Sequence, residues 1–124
     1  MKDELSFGSY IRAKRLEKHV PALDLAREIG ISNPYWCDIE KNRRNPPDID
    51  KLEKLANLLE LTPEEKGQMM DLAGEYREQA APDLNAWILA TPGLSTALRT
   101  ARDIEASADE WLEMVEEMKR RKGL

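Results

Sequence analysis

The side chains with chemical reach gather between Ser32 and Asn45, in the stretch SNPYWCDIEKNRRN. Asn33 brings an amide, Tyr35 a hydroxyl and Asp38 a carboxylate, and Lys41, Asn42, Arg43, Arg44 and Asn45 follow as a short basic run. Such groups recognise rather than transform: amides and carboxylates match donor and acceptor patterns on base edges, while Arg and Lys neutralise phosphate. Ser32, Arg12 and Lys14 extend the set of candidate phosphate contacts. No nucleophile–base–orienter set, glycine-rich phosphate loop or cluster of metal ligands accompanies them. Cys37 is the single cysteine and has no histidine beside it, so a redox thiol of lowered pKa is not indicated. The single histidine, His19, reads as a turn residue. The expectation is a chain that is no enzyme and holds no metal and no cofactor.

Two short helices set at an angle must position these groups, and residues 21–40, PALDLAREIGISNPYWCDIE, spell such a pair. Ala22, Leu25, Ala26 and Ile29 recur at helical spacing. Gly30 supplies the left-handed residue that closes this helix, Ile31 packs inward and Ser32 caps the next helix. Trp36 and Ile39 then face the core. A helix pair joined by so tight a turn projects its second helix outward, where it fits a DNA major groove.

Around this pair the sequence predicts an all-α chain of about eight helices. Valine occurs only at Val20 and Val115, and no alternating apolar pattern marks a strand. A first helix spans about residues 6–18, with Phe7, Ile11 and Leu16 inward. Asn45-Pro46-Pro47 breaks the chain, and Asp48 caps a fourth helix carrying Leu52, Leu55, Ala56 and Leu59. Thr62-Pro63-Glu64-Glu65 and Ser107-Ala108-Asp109-Glu110 are capping boxes. The first opens a fifth helix carrying Met69, Leu72, Ala73 and Tyr76. The second opens the last helix, with Trp111, Met114, Val115 and Met118 inward. Between them lie two short helices, one with Leu84, Trp87 and Ile88, the other with Leu94, Ala97, Leu98 and Ala101. The expected seam lies near residues 60–62. It separates a 1–61 domain, a bundle of about five helices counted to the seam or just beyond, from a 62–124 extension containing about three more.

The 124 residues carry a net charge of −5, unevenly spread. Residues 1–47 sum to +2 and residues 48–124 to −7, so the field near the front still favours phosphate while non-specific binding is weak. No apolar run reaches the roughly 20 residues that span a bilayer. The opening MKDELSFGSY lacks the basic and apolar regions of a signal peptide, so a reducing cytoplasm and no membrane contact are expected.

Four segments together resemble one family: IRAKRLEKHV at 11–20, LAREIGIS at 25–32, DIEKNRRNPP at 38–47 and LEKLANLLEL at 52–61. They are similar to the phage repressor/Cro-type, or XRE-like, helix-turn-helix regulators. The resemblance implies a five-helix bundle that binds double-stranded DNA as a homodimer. It places Asn33, Pro34, Tyr35 and Asp38 at base-reading positions of the recognition helix. It places Asn42, Arg43 and Arg44 at phosphate, and Arg15 with Glu40 in a partly buried ion pair joining the first helix to the third. Three positions depart from the family's habit: Ala22 stands where Gln is common, His19 where Gly is favoured and Pro21 where Ser, Thr or Asn is favoured. His19 must then hold a left-handed backbone. The recognition helix also lacks Arg, Lys and Gln, leaving Asn33 to read adenine bidentately and Asp38 to accept from cytosine. DNA shape and half-site spacing are expected to supply further specificity.

Two functional readings follow. One is a sequence-specific transcriptional regulator, a repressor dimer on an inverted-repeat operator. The other is an antitoxin or other interaction module whose acidic rear half binds a protein partner such as a toxin, with weak DNA binding or none, the poor recognition helix allowing for its loss. Trp87, Trp111, Met114, Val115 and Met118 serve either reading as interface candidates; the alternative is that they complete the monomer's own core.

Overall fold

The computed structural model describes residues 5–124 and places eight helices in them, with no strand among the described residues. These are α1 (Phe7–Glu17), α2 (Ala22–Ile29), α3 (Asn33–Glu40), α4 (Ile49–Leu58), α5 (Pro63–Tyr76), α6 (Pro82–Ala90), α7 (Leu94–Asp103) and α8 (Ala108–Arg121). Residues 1–4, which begin both the expected 1–61 domain and the MKDELSFGSY opening, lie outside the described residues.

The helices start where the caps predict. Asp48 accepts from the Lys51 N–H, and reciprocal capping boxes form at Thr62 with Glu65 and at Ser107 with Glu110. A third box, Ser6 with Ser9, opens α1. The ends share a device that is less legible. His19, Asn42, Glu60, Glu78 and Glu105 all take left-handed backbone, as Gly30 does at φ 83°. In each case the next residue's N–H reaches back five residues, as from Val20 to the Arg15 carbonyl at 3.1 Å and from Arg43 to the Asp38 carbonyl at 2.8 Å. This closure satisfies carbonyls that would otherwise lack partners. His19 is thus left-handed, as the family comparison required.

Two compact units result, the first ending at Ala86 and the second covering Trp87–Leu124. In the first, α1 packs on α3 and α5, and α2 on α3 and α4. Phe7 and Ile11, Leu25 and Ile29, Trp36 and Ile39, Leu52, Leu55 and Leu59 meet in one core. Burying each such side chain contributes about 1.5–3 kcal/mol before entropy is subtracted. The seam expected at 60–62 falls inside this unit, because Met69, Met70 and Ala73 of α5 are fully buried in the same core. Leu16 is not inward as expected but half-exposed. It lies five residues beyond Ile11, about 140° around the helix from the buried stripe, which continues instead through Lys14 and Arg15. Tyr76 of α5 stays partly exposed and donates its hydroxyl to the Asn42 carbonyl at 3.0 Å.

In the second unit, neither α7 nor α8 has a buried residue. Trp111, Met114, Val115 and Met118, expected inward, are 38–51% exposed, and Trp87 is 55% exposed. Short one-striped helices need a facing layer to bury their apolar side, and this unit supplies none deep enough.

Candidate nucleic-acid interface

Gly30 turns the chain sharply enough to set α3 against α2, and Ser32 caps α3 by accepting from the Tyr35 N–H at 3.2 Å. The inner face of α3 is fixed by Trp36 and Ile39, both buried. Its outer face therefore carries Pro34, Tyr35 and Asp38, and Lys41, Arg43 and Arg44 are exposed beyond its C-terminal end. No helix of the described residues is long and apolar enough to cross a membrane.

The Arg15–Glu40 pair forms as the family resemblance implies. Arg15 donates from Nε to Glu40 Oε2 at 2.6 Å and from Nη2 to Oε1 at 3.1 Å, and its Nη1 donates to the Val20 carbonyl at 3.0 Å. The Trp36 indole N–H donates to the same Glu40 Oε2 at 2.7 Å. Only 11% of the arginine side chain and 6% of the glutamate side chain are exposed, so this fork locks α3 to α1 away from solvent. The Glu40 carboxylate in turn holds the Arg15 guanidinium above its ordinary pKa. Gly8 makes the close approach possible. A Cβ there would lie 2.5 Å from the Glu40 carbonyl and 2.7 Å from that of Ile39.

Two predicted phosphate contacts are committed elsewhere. Asn42 accepts from the Gly8 N–H at 3.1 Å and donates to Ser6 Oγ at 2.9 Å, so its side chain ties the end of α3 to the start of α1. Its left-handed φ of 60° suits Asn better than most residues. Lys14 donates to Glu65 at 2.7 Å across 51 residues of chain, and its ammonium also lies 5.4 Å from the Tyr10 ring centre. The Glu65 carboxylate raises Lys14 above its usual pKa. Lys14 and the Thr62 N–H in turn hold Glu65 down at about 2. Lys14 is therefore a tie between α1 and α5. Arg12 is exposed on α1.

Asn33 also differs from expectation. Its Oδ1 is buried and accepts no hydrogen bond. With that oxygen turned inward, the amide cannot donate to and accept from one adenine edge without rotating. Sequence reasoning missed the arrangement on the outer face. Arg44 folds back over α3, its guanidinium carbon 4.5 Å from the centre of the Tyr35 ring and its Nε 3.8 Å from Asp38 Oδ2. The three-residue spacing of Tyr35 and Asp38 puts both on one helical face, but the loop conformation that returns Arg44 to that face has no local signal.

The chain is similar in sequence to known helix-turn-helix proteins. The helix-turn-helix family pattern matches residues 11–66. The ImmF control region 10 kDa protein of Bacillus phage phi105 is 38% identical over 61 residues, 49% of this chain and 67% of that protein. An HTH-type transcriptional regulator of Mycobacterium tuberculosis is 39% identical over 57 residues, 46% of this chain. The match spans 40% of the mycobacterial protein's length. The HTH-type transcriptional regulator DdrOP3 of Deinococcus deserti is 28% identical over 121 residues, covering 89% of this chain and 93% of that one.

Proposed function

The chain belongs to the helix-turn-helix family of phage-repressor type, and from that premise we propose that it is a sequence-specific DNA-binding transcriptional regulator. One observation carries the reading: the α2–turn–α3 pair is locked from inside by the Arg15–Glu40 fork while the outer face of α3 and the Lys41, Arg43 and Arg44 side chains stand in solvent. A rigid outward helix flanked by cations is what a major groove accepts. The Deinococcus relative, a transcriptional regulator by name, aligns along most of both chains, which supports extending the reading past the helix-turn-helix itself.

The regulator acts as a homodimer and as a repressor. Trp111, Met114, Val115 and Met118 on α8, with Trp87 on α6, remain exposed in the single chain, and Trp and Met favour buried protein interfaces. A second copy covering this set presents two α3 helices to successive major grooves, roughly 34 Å apart. Arg43 contacts phosphate. Selection of bound duplexes from a random pool tests the proposal: an enriched inverted repeat is expected, and a pool that stays random would refute it.

A further inference from the structure

The outer face of α3 is poor in the groups that read bases, yet a guanidinium lies on it. Pro34 has no polar side chain, Asp38 only accepts, and Asn33 has turned its carbonyl oxygen into the protein. Arg44 fills the gap from the loop. Its planar cation sits over the Tyr35 ring at 4.5 Å, within the roughly 6 Å reach of a cation–π contact. Its Nε faces Asp38 at 3.8 Å. Ring and carboxylate constrain a side chain that would otherwise sweep solvent, and they hold it on the very face whose neighbours would enter the groove. A guanidinium presents its donors as a rigid fork that matches the O6 and N7 acceptors of guanine.

Resting on the DNA-binding reading above, we infer that Arg44 is the base-reading residue of this protein, selecting guanine in the major groove, and that Tyr35 and Asp38 are its positioning residues. The family resemblance had placed Arg44 at phosphate. The two roles leave different traces. A phosphate contact weakens binding to every sequence when removed and lowers the slope of log affinity against log salt by about 0.9 per contact. A base contact relaxes one position and leaves that slope nearly unchanged.

The test repeats the random-pool selection and a salt titration with the full-length protein and with Arg44→Ala, Arg44→Lys, Arg43→Ala, Tyr35→Ala, Tyr35→Phe and Asp38→Ala. Arg44→Ala should lose the preference for guanine at one position of each half-site by roughly 5- to 150-fold, with the salt slope kept. Arg43→Ala should do the reverse. Tyr35→Ala and Asp38→Ala should relax the same position as Arg44→Ala, and Tyr35→Phe, which keeps the ring, should restore it. The double variant Asp38→Ala/Arg44→Ala should lose little beyond Arg44→Ala, because both act through one contact. An Arg44→Ala variant with unchanged base preference and a lowered salt slope would overturn the inference while leaving the regulator reading intact. Relaxation of a separate position by Asp38→Ala would remove Asp38 as a positioning residue. If no variant and not even the parent protein enriches any sequence, both the inference and the regulator reading fall.

Discussion

Two tryptophans on similar amphipathic helices have opposite surroundings. Trp36 on α3 is fully buried and donates its indole N–H to Glu40, whereas Trp111 on α8 is 41% exposed. Both helices have Ser caps and helical apolar spacing. The difference lies in what faces them. α3 meets α1 and α2 across a core shared with α4 and α5, while α7 and α8 are left without a buried residue. Local signals specify that a helix forms and which side is sticky; burial requires a partner layer at the right distance. One unit of this chain therefore owns a core that fixes an outward-facing helix, and the other carries apolar side chains that the single chain leaves exposed.

The first unit is most vulnerable at the fork. Glu40→Ala leaves the largely buried Arg15 unpaired and takes the acceptor from the Trp36 N–H, so it should destabilise the first unit by about 3–5 kcal/mol in urea unfolding. Gly8→Ala drives a Cβ against the Glu40 and Ile39 carbonyls and should cost about 1–3 kcal/mol by the same measurement.

A smaller effect is expected at the Lys14–Glu65 tie. Glu65 titrates at about 2 in the fold against an ordinary 4.5, so the stability from its ionised form is present above about pH 4.5 and is lost as pH falls towards 2. Glu65→Gln keeps a capping partner for Thr62 but cannot ionise. Parent and variant should differ in thermal midpoint at neutral pH and converge across that acid window. The smallest effect on the fold belongs to the second unit. Trp111→Ala should leave unfolding of the first unit within about 0.5 kcal/mol, because no buried contact of that core is lost. The same change should lower the fraction of dimer seen in sedimentation; an unaltered dimer would place the interface elsewhere.

What the residues disclosed follows the same division. Helix starts were legible because Asp48, Thr62 and Ser107 carry side chains that bond their own helix's N–H groups. Helix ends at Glu60, Glu78 and Glu105 were not, since glutamate gives no local sign of a left-handed backbone. Arg15 with Glu40 came through the family resemblance. Lys14 with Glu65 did not, because their meeting depends on how α5 packs against α1. The apolar stripe of α5 was visible and a fifth helix counted towards the bundle, but the 1–61 boundary cut it off, for a stripe does not mark where a core ends. Arg44 was read as part of a basic run, and only the folded loop reveals its place beside Tyr35 and Asp38.

The central claim is that α3 and the loop after it form the surface that meets DNA. Hydrogen–deuterium exchange of the full chain, with and without a duplex enriched from the random pool, tests it directly. Protection on binding should concentrate in residues 32–44. Protection confined to α7 and α8, with 32–44 exchanging as in the unbound protein, would contradict it.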